Sequence, residues 1–526
     1  MKLIKISGDR VQIKTDSAHL KALRINDLLR LDDGNLAIVC IVTGLTGNDT
    51  MDIYDFDQEF LGQTASNSTI DCGILGSIVG GKFTKSIDVY PSTNVEISVV
   101  SDTDFANMLG VAGASSFVLG SYKAYGATAV VDGNKLFQRH FAILGNTGSG
   151  KSVTVASLLH QISKRKNSNA ILFDLHGEYS GLDFVKTVKI GNGEMAFPMW
   201  FMPFKDIYSN IFRIKDESAT VQLSVLRSAF NAARRSEATE DAPIAFSLDD
   251  VLDDIKSANT ETICVGEYVS GDKKGLPKYE KGEFNGKLTT LVTLIEDRLL
   301  DRRYDFMCRQ APQEYLHVFL DAIFGISDKN IKVVDLSDAP HDMVPVIIAV
   351  ITKLIYSVQL QQDRIDMTPL CIFCDEAHAY IPSSDFGLGA SQRRLLEVFE
   401  LIAKEGRKFG TTLCVASQRP SELNKTIMAQ CANFIVMKMT NDVDKAMVKG
   451  VLPESSRAII DTLSLFSAGD CFVIGDCVDI TLKTRVDLPP QLPNSNTVDT
   501  WDVWGKEGGL DVRTLVDGLI GNDLPA

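Results

Sequence analysis

Eight consecutive residues, Gly145-Asn146-Thr147-Gly148-Ser149-Gly150-Lys151-Ser152, follow an apolar run and open a helical pattern. That is the setting in which the G-x-x-x-x-G-K-[ST] pattern holds polyphosphate. Glycines let backbone N–H groups turn inward around phosphate oxygens, and the positive end of the following helix faces the same anion. The nucleotide-binding segment therefore runs from Gly145 through Asn146, Thr147, Gly148, Ser149, Gly150, Lys151 and Ser152 to Val153. Lys151 would reach the β- and γ-phosphates of ATP, and the Ser152 hydroxyl would ligate Mg²⁺. A second constellation should stand at the end of another strand. Leu370-Cys371-Ile372-Phe373-Cys374 runs into Asp375-Glu376, an apolar strand ending in two carboxylates, the Walker B pattern. Asp375 would hold the Mg²⁺ shell, and Glu376 would orient and polarise water, which is hydrolase rather than kinase chemistry. The plainer reading, a pair of helix-capping acids, is hard to sustain beside a complete phosphate loop.

Other polar groups close apolar runs. Asp174 is followed by His176-Gly177-Glu178-Tyr179, so Asp174 and Glu178 are further candidates for the metal shell, although Asp174 also suits a turn. Gln418 ends another run, where it would sense the γ-phosphate or position water, or simply enter a helix.

Elements must bring these groups together. Apolar runs at His140–Leu144, Ala170–Leu175, Ile331–Leu336, Leu370–Cys374, Thr411–Ser417 and Asn433–Lys438 read as strands of a parallel sheet covered on both faces. Helical patterns at Lys151–Lys166, Pro345–Gln362, Gln392–Lys408 and Ser421–Ala429 lie between them, and Asp470–Gly475 with Asp479–Val486 read as a hairpin at the sheet's edge. The fold class is α/β: a P-loop ATPase core, residues 101–200 and 330–488, with a mainly parallel sheet. Short β-rich runs before it, among them Arg10–Lys14, Leu36–Val42, Met51–Phe56 and Val95–Val100, make residues 1–100 a small β-barrel. Residues 201–329 read as a polar, mostly helical insert, and 489–526 as a linker and docking arm with Trp501 and Trp504.

Composition narrows the class. The chain has 526 residues, 45% of them hydrophobic and 23% charged, and suits two to four globular domains. Its net charge of −15 excludes a basic DNA-coating protein but leaves room for a local basic groove. The longest apolar stretch, Val344 to Tyr356, is broken by Lys353 and suits a buried helix, so no membrane partner is expected. Met1 to Arg10 lacks a signal-peptide core, and the ten cysteines are scattered, which together read as cytoplasmic. Cys371-x-x-Cys374 has zinc-like spacing without a second pair, so buried thiols are the reading there. Asp249, Asp250, Asp253 and Asp254 read as a solvated helix face, and there is no nuclease constellation.

Taken in order, the motifs resemble the HerA-type ATPases of the HerA–FtsK superfamily. The resemblance rests on Arg139 to Gly145 with the phosphate loop, Phe173 to Tyr179, Asp375-Glu376-Ala377-His378, Glu405 to Gly410 and Ser417-Gln418-Arg419-Pro420-Ser421. It spans about residues 115–490. It implies a homo-hexameric ring that translocates double-stranded DNA, with ATP bound between subunits. It also implies an arginine finger from the neighbour, Arg407 first and Arg139 second, with Arg419 weaker. Capping the preceding helix is the plainer role for Arg407. Pore-lining cations would be Lys273, Lys274, Lys278, Lys281 and Lys287, which a solvated turn explains equally simply; Lys425 and Lys438 are weaker candidates.

The resemblance implies a motor working with a nuclease or effector partner in DNA-end processing or antiphage defence. Its alternative is an ATPase ring that scaffolds or activates a partner nuclease or sirtuin-like, NAD-consuming enzyme. In both cases residues 1–100 would be the docking surface. A conjugation or segregation motor is a third reading, one that usually needs membrane spans.

Overall fold

The computed structural model describes residues 1–34, 36–47, 68–79, 82–87, 90–92, 94–109, 113–191, 195–214, 220–236, 238–270, 272–384, 390–495, 500–506, 508–509 and 511–519. The strand expected at Met51–Phe56 lies outside them. Residues 1–493 form one compact unit and 494–526 a second.

The N-terminal strands are β1 (Lys2–Ser7), β2 (Arg10–Thr15), β3 (Leu28–Asp32), β4 (Ala37–Thr46), β5 (Ser68–Val79), β6 (Lys82–Thr84) and β7 (Glu96–Val99). They form one antiparallel sheet in the order β1-β2-β5-β4-β3-β7, with β6 added to β5. Register shifts at Val39/Cys40 and Val42/Gly44 curl the long β4–β5 pair. Among the described residues β1 and β7 do not pair, so the sheet is a half-barrel rather than a closed one.

The remaining strands are β8 (Ser116–Tyr122), β9 (Thr128–Asp132), β10 (Phe141–Leu144), β11 (Ala170–Asp174), β12 (Val185–Lys189), β13 (Thr262–Glu267), β14 (Pro277–Lys281), β15 (Ile331–Asp335), β16 (Leu370–Cys374), β17 (Thr411–Ser417), β18 (Asn433–Met437), β19 (Asp470–Gly475) and β20 (Lys483–Val486). Eleven of them make the central sheet, in the order β12-β15-β11-β16-β17-β10-β18-β19-β20-β8-β9. From β12 to β18 every pair is parallel, and β10, β11, β15, β16, β17 and β18 are buried along their whole length, as expected for a sheet covered on both faces. The α/β fold expected from the sequence is the fold observed.

Three features differ from the sequence reading. The β19–β20 hairpin is not the sheet's edge, because β20 pairs with β8 and β8 with β9 beyond it. The sheet also begins before Arg139, with β8 and β9, and β12 extends its other end. These three strands are partly exposed and mix polar with apolar residues, so they lack the continuous apolar signal of the inner ones.

The segment between β12 and β15 is not simply polar. Phe197, Trp200, Phe201, Phe204 and Phe230 are buried in the same cluster as the central sheet, and the Phe201 and Phe319 rings lie 4.7 Å apart. The helix Leu248–Thr260 shows why a segment can look polar yet pack. Leu248, Val251, Leu252 and Ile255 share its buried stripe, and Asp249, Asp250, Asp253 and Asp254 face solvent.

Candidate nucleotide site

Parallel strands deliver their following loops to one edge of the sheet, and a ligand binds beyond their carboxyl ends. Here the ends of β10, β11, β16 and β17, four neighbouring strands, carry the phosphate loop, the Asp174–Tyr179 turn, Asp375-Glu376 and Gln418. Gly145 N–H donates to Ser417 O at 3.3 Å and Asn146 N–H to Lys438 O at 3.0 Å, fixing the loop to the strands on either side. Asn146 Nδ2 also donates to Thr440 Oγ1 at 2.9 Å. Gly150 sits at φ +101°, and a Cβ there would lie 2.9 Å from Gly469 N, so both conformation and space require glycine. Gly469 N–H in turn donates to Ser149 O at 2.7 Å. The helix Lys151–Ser163 starts directly from this turn.

Lys151 is 95% buried, and its Nζ donates to Asp375 Oδ1 at 2.8 Å and to Glu376 Oε1 at 2.7 Å. Burial opposes the ammonium's charge, but the two carboxylates outweigh it and hold Lys151 above its ordinary pKa. Gln418 bridges the site: its Nε2 donates to Glu376 Oε1, and its Oε1 accepts from the Thr147 hydroxyl. Glu376 stands in the left-handed region at φ +45°, a strained conformation for a residue with a Cβ. Its Oε2 is buried without a hydrogen bond and lies 3.4 Å from His378 Nδ1, which is itself 3.3 Å from Ser417 Oγ. Burial lowers the His378 pKa, so the ring is neutral near pH 7.

Asp174 and Glu178 divide their roles. Asp174 accepts three backbone N–H groups, from His176 and Glu178 at 3.2 Å and Tyr179 at 2.9 Å, so its carboxylate shapes the turn instead of facing the phosphate loop. Burial raises its pKa to about 6 against those donors, and Asp335 adds to the rise. Glu178 is brought to the site: burial raises its pKa, the Ser152 hydroxyl lowers it, and its Oε2 is buried without a hydrogen bond. Tyr179 has no role in the sequence reading, yet its buried hydroxyl donates to Asp375 Oδ2 at 2.8 Å. Its place in the turn after β11 is the only signal that could have pointed to it.

The arginines lie elsewhere. Arg139 precedes β10 and Arg407 precedes β17, at the opposite edge of the sheet from the phosphate loop. Both line one groove of about 390 Å³ with Lys85, Lys135, Asp476 and Asp479. Arg139 pairs with Asp476 at 3.0 Å; Arg419 is at the other edge, exposed and paired with Glu422 at 3.0 Å. Of the lysines proposed for a pore, Lys278 pairs with Glu280 at 2.9 Å on the exposed β13–β14 hairpin. Cys371 and Cys374 are buried within β16.

A strand-flanked phosphate loop, a carboxylate pair on its lysine and a glutamine linking the two define a P-loop ATPase. The family model for the central domain of the helicase HerA matches residues 117–355. A probable helicase of Methanocaldococcus jannaschii is 25% identical over 72% of this chain and 68% of its own length. The DNA double-strand break repair helicase HerA of Saccharolobus solfataricus is 28% identical over 67% of this chain and 65% of its own. Among solved structures, VirB4 of Thermoanaerobacter pseudethanolicus overlaps 72% of this chain and 98% of that one, with 16% identity and a TM-score of 0.49. The chain is thus a P-loop ATPase that is similar to HerA helicases over about two thirds of its length.

Proposed function

We propose that the protein is a ring motor that hydrolyses ATP to translocate double-stranded DNA, each subunit completing its neighbour's site. The observation that carries this reading is the separation of Arg139 and Arg407 from the phosphate loop. The seven residues of β17 alone span roughly 23 Å at about 3.3 Å per residue, beyond the reach of an arginine side chain. If the groove meets a nucleotide, that nucleotide belongs to another subunit. A cation there would stabilise charge developing on the γ-phosphate as an arginine finger does. Six subunits follow the HerA resemblance, and the relatives named as DNA break-repair helicases support DNA as the track.

Within a subunit, Glu376 orients the attacking water and Gln418 ties its position to the phosphate loop through Thr147. The phosphates of ATP compete with Asp375 and Glu376 for the Lys151 ammonium, which couples nucleotide binding to release of the two carboxylates. Mg²⁺ fits the site. Ser152 and Asp375 would hold it, with the unpartnered Glu178 Oε2 close by. When bound there, the ion would neutralise charge on the phosphates. A nuclease or other effector docked on residues 1–100, in end processing or antiphage defence, supplies any cleavage.

ATP turnover with and without linear double-stranded DNA, across a salt series, tests the reading. Stimulation that fades steeply with salt supports translocation, because phosphate contacts release counterions. Turnover indifferent to DNA sinks the motor and leaves an ATPase scaffold for a partner enzyme. Among the described residues no helix is long and apolar enough to cross a membrane.

A further inference from the structure

The arginine groove is built partly by the N-terminal half-barrel. Lys85 follows β6, and its Nζ donates to Val478 O at 2.6 Å and to Gly475 O, carbonyls on either side of the Asp476-Cys477 pair in the turn after β19. Asp476 holds Arg139 at 3.0 Å, and Arg407 lines the same groove. The turn's other supports come from the ATPase core: Cys477 N–H donates to Asn433 Oδ1 at 3.1 Å, and Cys477 O accepts from Asp132 N–H at 2.8 Å. Gly475 is at φ +129°, and a Cβ there would lie 2.4 Å from Ala432 O, so the turn by which the chain leaves β19 requires glycine. An ammonium spent on two main-chain carbonyls makes charge-assisted hydrogen bonds that fix backbone position.

We propose that Lys85 is a positioning residue for hydrolysis on the neighbouring subunit, acting through the Gly475–Val478 turn and Asp476 on Arg139. The inference rests on the trans reading above and deepens it: the half-barrel is wired to the groove that completes the next site, so a partner seated on the half-barrel can tune the motor's turnover. Lys85 touches no nucleotide of its own subunit.

The test uses the full-length protein. Lys85→Met keeps most of the side-chain stem and removes the donors. It should bind fluorescent mant-ATP as wild type does, while kcat falls roughly tenfold to a hundredfold, the scale of an ångström-sized misplacement; Lys85→Arg should retain most of the rate. Mixed with Lys151→Ala subunits, whose grooves are intact, Lys85→Met subunits should recover turnover above the sum of the two proteins measured apart. Arg407→Ala mixed with Lys151→Ala is the control. Recovery in the control but not with Lys85→Met overturns the role of Lys85 and leaves the trans reading standing. Recovery in neither overturns the trans reading and the inference with it. Wild-type kcat in Lys85→Met also overturns it. If Lys85→Met melts early, Asp476→Asn breaks the next link with Lys85 in place, and it must show the same complementation or the inference falls.

Discussion

The carboxylate of Glu376 is gripped from two sides, by Lys151 and by Gln418, while its other oxygen faces His378 without a hydrogen bond. When ATP draws Lys151 away, the Gln418 hydrogen bond still orients the carboxylate, which is what a water-polarising base needs. Glu376→Gln should bind mant-ATP and lose turnover by roughly 10²–10⁴-fold, the usual share of general base catalysis; a wild-type rate would remove Glu376 from this role. Lys151→Ala should lose nucleotide binding itself, read by the same fluorescence titration. Tyr179 is the residue the sequence did not expose. Removing its hydroxyl leaves Asp375 Oδ2 without a buried donor, and a hydrogen bond to a charged group is worth about 1.5–3 kcal/mol. Tyr179→Phe should therefore need roughly tenfold more Mg²⁺ for half-maximal ATPase activity and melt a few degrees lower. An unchanged Mg²⁺ requirement would make Tyr179 a packing residue only.

At the scale of elements, the phosphate loop depends on the turn before β19 as much as on its own sequence. Gly150 faces Gly469 N across a space without room for a methyl group, and its φ of +101° adds strain of about 1–3 kcal/mol for any other residue. Gly150→Ala should abolish mant-ATP binding while far-UV circular dichroism stays native; tight binding by this variant would show that the loop can move away from β19. The same logic explains what the sequence shows and hides. The six inner strands were legible because both their faces are buried and every residue is apolar or nearly so. β8, β9 and β12 were not, because a strand at either end of the sheet is partly exposed and carries no continuous apolar run. The aromatic packing between β12 and β15 was masked by the charged outer faces of its helices.

For the whole molecule, the proposed ring motor divides its ATP site between the two ends of the parallel strands: the phosphate loop lies at one, and the groove of Arg139 and Arg407 at the other. Arg407→Ala should bind nucleotide normally, keep the wild-type particle size in light scattering, and lose roughly 10³–10⁵ in turnover. If its rate is untouched, Arg407 only closes the helix that precedes it. The β13–β14 hairpin bears on the same scale, since Lys278 is matched by Glu280 on an exposed surface, which weakens the case for those lysines as a DNA track.

Residues adjacent in the chain were enough to declare the phosphate loop, the carboxylate pair and the alternation of strand and helix, because each of those is a local pattern with a local physical cause. Which strand ends meet is a different matter. Lys151 and Asp375 are separated by more than two hundred residues and Lys85 and Val478 by nearly four hundred, and no periodicity spans such intervals. Only the strand order of the central sheet placed Tyr179 on Asp375, and only the packing of the half-barrel against that sheet brought Lys85 to the groove of Arg139 and Arg407, because such contacts are set by packing and hydrogen-bond register rather than by distance along the chain.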